Sequence, residues 1–297
     1  YVFAGLTSGN GLGYGRTKFG LQVPNPMVLT TLRRENNEMS AVESEDNKSP
    51  SLRLDGLVAV VTGAGRGLGR GIALALADAG AELVLVSRTQ SDLDEVAERI
   101  TEAGGTARTV ICDVTNAAQV TEQIESLERI DILMNNAGAN IPEPFVDVTE
   151  EHLDFLLNIN VKSMFLVAQA AARRMLANDR GGSIIHMSSQ MGHVGSPNRT
   201  NYCATKHAVE GMSKAIAAEL APQNIRSNCI GPTFIETPMT KPMFENPEFK
   251  EFVMDRILMG RLGKISDVTG SVIFLASPAS ELITGASLTI DGGWTVV

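Results

Sequence analysis

In the stretch NRTNYCATKHAVEG, residues 198–211, a tyrosine and a lysine stand four residues apart. The segment reads as a helix, which sets Tyr202 and Lys206 on one face with their Cβ atoms about 5–6 Å apart. A phenol beside an ammonium is a proton-transfer pair. A free tyrosine titrates near pH 10, so only about one in a thousand is ionised at pH 7. A cation one helical turn away favours the phenolate and turns it into a workable acid/base. An isolated pair of this kind is ordinarily a surface contact or a lysine stem lying along apolar neighbours, so the rest of the chain must decide. Thirteen residues upstream, Ser189 ends the apolar run SIIHMSS, with Ser188 beside it. A hydroxyl there can hydrogen-bond an oxygen on which charge develops.

Side chains at the ends of strands need a sheet to carry them, and the chain provides one. LVAVVTG, from Leu57, is a short β-branched run ending in glycine, consistent with a buried parallel strand. RGLGRGIALALADAG follows as a small-residue helix, then AELVLVS as a second strand. The next helix, QSDLDEVAERITEAGG, has Leu93, Val96, Ala97 and Ile100 at helical spacing, a capping box at Ser91 and Asp94, and a stop at Gly104. The alternation continues through strand ARTVIC, a helix over 115–127, strand IDILMNNAG, a helix over 150–177, strand SIIHMSS, the Tyr202 helix, strand IRSNCI and a last strand, ASLTIDGG. Repeated strand–helix units of this kind predict a doubly wound α/β fold: a parallel sheet covered by helices on both faces, in one domain.

VTGAGRGLGRG sits between the first strand and the first helix, where an open parallel sheet binds a pyrophosphate at a helix N-terminus. Gly63, Arg66, Gly67, Leu68 and Gly69 would line the phosphates. The loop lacks the GK(S/T) ending of a P-loop, which disfavours a nucleotidase; a plain tight turn is the other reading. The second strand ends LVLVSRTQ, with Ser87 and Arg88 and no acid before Asp92. NAD sites usually place a carboxylate there for the ribose 2′-hydroxyl. Arg66, Arg88 and Ser87 suit a 2′-phosphate instead, so NADP(H) is expected over NAD(H), unless Arg88 only caps a solvated turn. Asp113 and Val114 close the third strand; the carboxylate can accept from the adenine amino group, cap a helix, or do both.

The bulk properties narrow the classes. Of 297 residues, 43% are hydrophobic and 20% charged, as in a globular protein with a sizeable core. A net charge of −9 argues against nucleic acid as the main partner and leaves no polybasic membrane anchor. Among the apolar runs none is long enough to suggest a membrane span. Cys112, Cys203 and Cys229, an odd number without CxxC spacing, read as buried free thiols, with the cytoplasm the simplest location. No pair of histidines has metal-ligand spacing on one element. Residues 1–52 differ in kind: glycine-rich, then charged, without apolar period. They are expected to form a poorly ordered extension, or else an arm on a neighbouring subunit. The chain begins at Tyr1, and Met39 reads as a more natural start.

Seven motifs in order, TGAGRGLG, CDV, NNAG (135–138), NINVKS (158–163), SSQMG (188–192), YCATK (202–206) and DGGW (291–294), resemble the short-chain dehydrogenase/reductase family over residues 53–297. The resemblance implies a Rossmann-type catalytic domain that interconverts a ketone and a secondary alcohol by hydride transfer to or from a nicotinamide cofactor. It selects Ser189 over Ser188 to polarise the carbonyl, Tyr202 as acid/base and a contact of the cofactor, and Lys206 as its tuner and a ligand of the nicotinamide ribose. Asn160 would hold a water linking Lys206 to solvent, or simply distort its helix. Asn136, Ala137 and Gly138 would border the adenosine half. Pro232, Ile235 and Thr237 would lie near the nicotinamide, unless the last two only form a turn. Pro232-Thr233 departs from the Pro-Gly of many members and puts the local loop conformation in question.

The long segment 233–260, with three prolines, would form a substrate lid whose Met239, Met243, Phe244, Phe249, Phe252, Met254 and Met259 line an apolar pocket or pack ordinary helices. Gln190, His193 and Asn140 would add polar contacts. A sugar acid or polyol ketone, a 3-oxoacyl thioester and a small cyclic ketone all remain compatible. Arg173, Arg174 and Arg180 read as a contact for an acidic carrier or as a solvated helix face. A small-residue face on the Tyr202 helix, with the family's habit, implies a homotetramer. The alternative function is a non-catalytic nucleotide-binding regulatory protein on the same fold.

Overall fold

The structure is a computed structural model that describes residues 49–237 and 240–296, together with the backbone of a short antiparallel pair, Tyr14–Arg16 with Gln22–Pro24. The chain divides into two compact units, Tyr1–Pro50 and Ser51–Val297. The expectation of poor order over residues 1–52 falls almost wholly outside the described residues.

The second unit carries a seven-stranded sheet: β1 (Val58–Thr62), β2 (Glu82–Ser87), β3 (Ala107–Ile111), β4 (Ile132–Asn135), β5 (Gly182–Met187), β6 (Ile225–Pro232) and β7 (Ser287–Ile290). The spatial order is β3-β2-β1-β4-β5-β6-β7, and every pairing is parallel. The order reverses between β1 and β4, which opens a crevice at the carboxyl ends of the strands. Helices α1 (Gly67–Asp78), α2 (Gln90–Glu102), α3 (Ala117–Val120), α4 (Glu150–Leu157), α5 (Ser163–Asn178), α6 (Thr200–Leu220), α7 (Pro247–Met254) and α8 (Ile265–Ala276) follow in chain order.

Strand side chains alternate between faces, and the core divides accordingly. Ala59, Val61, Leu83 and Leu85 pack with Ile72 and Leu76 of α1 and Val268 and Val272 of α8. Val60, Val84 and Val86 pack with Val167 and Ala171 of α5 on the other face. Both faces are covered, which explains why the strands read as unbroken apolar runs. Gly71 lets α1 approach α8, since a Cβ there would overlap Ile265 Cγ2.

Several local expectations are corrected. The cap of α2 is Thr89, one turn residue before Gln90, and no side-chain capping box forms at Ser91; Gln90 Nε2 donates instead to Asp94 Oδ1 at 2.6 Å. The helix expected over 115–127 is four residues of α3 continued by a π-turn, Thr121–Glu125. The helix expected over 150–177 contains a π-turn, Asn158–Lys162, between α4 and α5. By length and composition Glu150–Asn178 would suffice to cross a bilayer, but half of its apolar window is buried against the rest of the protein.

Candidate active site

β5 ends at Met187, and the chain turns there into a single 3₁₀ turn, Gln190–Gly192, capped by the Ser189 hydroxyl, which accepts from the Met191 N–H at 3.1 Å. The same hydroxyl donates to Gln190 Oε1 at 2.8 Å. Ser188 turns away: its Oγ is buried without a partner, and a Cβ on Gly192 would stand 2.7 Å from it. Of the two serines, it is Ser189 whose hydroxyl acts on the Tyr202 phenol.

Tyr202 is half-buried in the first turn of α6, and Lys206 is buried one turn on. Lys206 Nζ donates to the Met187 carbonyl at 2.7 Å and lies 5.5 Å from the centroid of the Tyr202 ring. The amine thus sits over the ring face, anchored to the end of β5. Burial pushes Lys206 down to about 8, against the pull of Cys229 and Glu210. Burial pushes the Tyr202 phenol up to about 12, with Ser189 opposing. A lowered phenol was expected from the sequence. In the protein alone the opposite holds, because desolvation outweighs the Ser189 hydrogen bond and the Arg199 charge.

Asn160 is buried in the π-turn between α4 and α5. Its Oδ1 accepts from Ala139 N at 2.9 Å, and its Nδ2 donates to Ala139 O at 2.8 Å and Thr205 Oγ1 at 3.2 Å. It clips the loop after β4 to α6, reaching the neighbour of Lys206 rather than Lys206 itself. Gly138 passes beside it; a Cβ there would lie 2.9 Å from Asn160 Oδ1.

At the crevice end of β1, Gly63 and Gly67 adopt φ values of +67° and +56°. A Cβ on Gly69 would overlap the Gly63 carbonyl, whereas one on Gly67 would meet nothing within 4 Å. Arg66, exposed, is the N-cap of α1 and supplies no side-chain acceptor to the first-turn N–H groups. Half-buried Leu68 lies in that turn. A cradle of backbone donors with no protein acceptor from its cap, kept close by glycines, fits a pyrophosphate. Asn136 holds the cradle in place. Its backbone N–H and that of Ala137 donate to Thr62 Oγ1 at 2.9 and 3.1 Å, and its Nδ2 donates to Thr62 O at 2.9 Å.

Ser87 Oγ accepts from Thr89 N at 3.2 Å, forming the turn after β2. Arg88 is exposed and close enough to Asp113 to help hold its carboxyl below the usual range, after the larger effect of the Thr115 hydroxyl. Asp113 Oδ1 accepts from Thr115 N at 3.0 Å and Thr115 Oγ1 at 2.7 Å. The helix cap there is Asn116, accepting from Ala118 and Gln119, so capping is not the role of Asp113. Val114 is buried beside it.

β6 ends at Pro232, and Thr233 continues into Ile235, which is buried and bridges to Gly263. The Thr237 and Thr240 hydroxyls lie 3.1 Å apart in the turn that follows. Thr233 N donates to Ile290 O at 3.1 Å, and its hydroxyl is buried without a partner.

Beside the start of α6 lies a cavity of about 370 Å³ lined by residues that include Pro142, Arg199, Phe234, Met243, Phe249 and Phe252. The lid expected from the sequence is a 3₁₀ segment, Lys241–Glu245, followed by α7. Phe234 packs edge-on against Phe244 and Phe249 at 5.9 and 5.5 Å and leans on Trp294 at 5.7 Å. Met259 is exposed on the far side, held by its N–H to Gly292 O at 3.0 Å, and Met239 lies outside the described residues. His193 turns to Ser287 Oγ at 2.9 Å and Glu210 at 3.4 Å, away from the role expected of it. Arg173 and Arg174 bind Glu125, and Arg180 faces Asp131 at 3.8 Å, so these three serve the protein's own surface. Among the described residues no cluster could hold a metal ion. Arg199 and Phe234 were missed from the sequence. Arg199 stood in the very stretch that carries Tyr202, and the signal was an arginine between Pro197 and an otherwise small-residue helix.

A family model described as enoyl-(acyl carrier protein) reductase matches residues 63–295. L-xylulose reductase from Bos taurus is 37% identical over 243 residues, 82% of this chain and 98% of that protein. A 3-oxoacyl-(acyl-carrier-protein) reductase from Thermotoga maritima is 38% identical over 249 residues, 82% of this chain and 100% of its own. Among solved structures, a gluconate 5-dehydrogenase from Burkholderia cenocepacia in complex with NADP and tartrate superposes with a TM-score of 0.80 at 35% identity, covering 83% of this chain and 98% of that one. With the sheet order, the glycine cradle and the Ser189–Tyr202–Lys206 cluster in hand, these likenesses place the chain in the short-chain dehydrogenase/reductase family of oxidoreductases.

Proposed function

We propose that this oxidoreductase interconverts a ketone and a secondary alcohol with NADP(H), and that Ser189, Tyr202 and Lys206 carry the chemistry. When bound, the nicotinamide supplies or accepts the hydride. Ser189 donates to the substrate oxygen, releasing Gln190 Oε1, and stabilises the charge that forms there. Tyr202 gives its proton to that oxygen in reduction and takes it back in oxidation. Lys206, fixed to Met187 O, adds a positive charge beside the phenol and an amine for the ribose. The single observation that carries the reading is Lys206 Nζ 5.5 Å over the Tyr202 ring, with Ser189 next to the phenol. A protein that only senses nucleotide has no need of a buried amine packed on a phenol. Asn160 acts as a positioning residue through Ala139 and Thr205.

Gly63, Arg66, Gly67, Leu68 and Gly69 would hold the pyrophosphate, and Asn136, Ala137 and Gly138 the adenosine side. Arg66, Ser87 and Arg88 would meet the 2′-phosphate, with Asp113 and Val114 at the adenine and Pro232, Ile235 and Thr237 at the nicotinamide. NADP is favoured over NAD by the absence of an acid between Val86 and Thr89 and by the NADP held in the gluconate 5-dehydrogenase relative. The test is NADPH oxidation across ketone classes, read by absorbance, with Tyr202→Phe alongside. Turnover lost in that variant supports the assignment, and turnover surviving it refutes it.

We assign the chain to a homotetramer in a reducing compartment, the cytoplasm. The first rests on the exposed small face of α6, including Ala204, Ala208, Gly211 and Ala215, and on Phe155 and Phe165 exposed at 47% and 50%. The second rests on three buried free thiols. Light scattering that returns a monomer mass overturns the tetramer.

A further inference from the structure

Arg199 lies immediately before α6, three residues from Tyr202, and its carbonyl accepts the helix hydrogen bond from Cys203 N at 2.7 Å. The residue is only 5% exposed, yet it lines the cavity beside the proton-transfer tyrosine. Its guanidinium is poorly served by the protein. Nη1 donates to the carbonyl of its own neighbour, Asn198, at 3.0 Å, and Nε is buried with no partner at all. Burying a guanidinium is costly unless a counter-charge accepts its fork of donors.

Among the described residues no such counter-charge is present. The groups that favour its charged form are Tyr202 and Cys203. Burial pushes both of these upward, Tyr202 to about 12, so both are neutral at pH 7. Glu143, whose N–H donates to Asn198 O at 3.1 Å, spends its carboxylate elsewhere, on His152 Nδ1 at 2.8 Å and Asn201 Nδ2 at 3.2 Å. The rest of the cavity lining is largely apolar, with Pro142, Phe234, Met243, Phe249 and Phe252.

We infer that Arg199 is a specificity-determining residue that receives a carboxylate of the substrate, so that the enzyme acts on oxo acids, or the matching hydroxy acids, with an apolar body. This rests on the reading of Ser189, Tyr202 and Lys206 as the reacting groups, with Tyr202 in the first turn of the helix that Arg199 precedes. The guanidinium presents parallel N–H donors that match a carboxylate. The phenylalanines of the lid enclose the carbon frame and exclude water, which strengthens the ion pair. The ketone oxygen then faces Ser189 and Tyr202, less than one helical turn along. A neutral ester or amide of the same acid leaves the buried cation unpaired and is rejected for that reason.

The test compares NADPH oxidation with a series of apolar oxo acids against their methyl esters. For the wild-type protein kcat/KM for the acid exceeds that for its ester by about a hundredfold, the factor that charge-assisted pairing of this kind supports. Arg199→Met brings the ratio to near one by lowering the acid and leaving the ester within a few-fold, and Arg199→Lys recovers part of it. Acids and esters reduced equally by the wild type overturn the inference while the oxidoreductase reading stands. So does Arg199→Met lowering both alike. Binding provides a readout free of turnover and of the variants' folding. Benzoate competes with a neutral ketone substrate, or protects the wild-type protein against heat, and benzamide does not. If no carbonyl compound is reduced, the oxidoreductase reading fails, and benzoate still decides the anion site. Discrimination between benzoate and benzamide upholds it, and equal or absent binding overturns it.

Discussion

From Thr62 to Asn136 the crevice is lined by backbone: glycines at positive φ, an uncapped helix start and amides stitched to Thr62. The stretch from Ser189 to Trp294 instead brings side chains together: a hydroxyl, a phenol, a buried amine, a buried guanidinium and a cluster of phenylalanines. The difference fits the cofactor and the substrate that we propose for the two ends. A pyrophosphate is the same in every turnover and is held by dipoles that no side chain need supply. A substrate is recognised by its particular shape and charge, and only side chains vary enough to do that. The backbone-built end should therefore fail when a Cβ is added, and the other end when a functional group is removed.

The largest effect is expected at the side-chain end. Tyr202→Phe should lower kcat by about a thousandfold or more, with NADPH affinity and melting temperature nearly unchanged. A drop in affinity of similar size would mean the phenol is part of the cofactor grip and would blur the contrast. At the backbone end, Gly69→Ala forces a methyl group against the Gly63 carbonyl. NADPH binding should weaken by about a hundredfold, measured by fluorescence titration, because the cradle must open.

Removing Arg66 and Arg88 together should take about tenfold or more from the preference for NADPH over NADH, since these two exposed cations are the side-chain exception within the backbone-built end. An unchanged preference would sink the assignment of both. Acid should act through His186, which is buried under Lys206 and held down to about 4 by burial. Its folded pKa lies below its unfolded one, so the unfolded chain binds the extra proton first. Stability is then intact above about pH 6.5 and lost as pH falls through that value toward 4. A His186→Gln variant should show a flatter melting temperature across that window, and an identical slope would exclude the histidine as the cause. The smallest effect is Gly67→Ala. Open space surrounds the new methyl group, so only the left-handed φ of +56° is penalised, at about 1–2 kcal/mol of stability.

Much of this was legible from residue types and spacing. The parallel sheet followed from β-branched runs punctuated by glycine, because a strand buried on both faces has no polar side to show. That Ser189 follows a strand and Tyr202 and Lys206 share a helix face was legible from spacing, while the choice of Ser189 over Ser188 drew on the family pattern as well. Caps were read less well. Asn116 rather than Asp113 caps α3, and Thr89 begins α2 without a capping box, since several Ser, Asp, Asn and Thr residues stood close enough to serve. Asn160 reads from the sequence as a water holder or a helix-distorting residue; its side-chain amide meets Ala139 and Thr205, contacts across 21 and 45 residues that no local pattern reveals.

The chain's own order of residues determined the sheet, the glycine turn and the pairing of phenol with amine, because each depends on contacts within a strand, a turn or one helical turn. Tertiary structure decided the rest: the raised phenol, the amine anchored to Met187, and the arginine left without a counter-charge in a pocket of phenylalanines. Those properties arise from desolvation and from segments far apart in sequence coming within a few ångströms, and no spacing rule encodes how much water a fold removes.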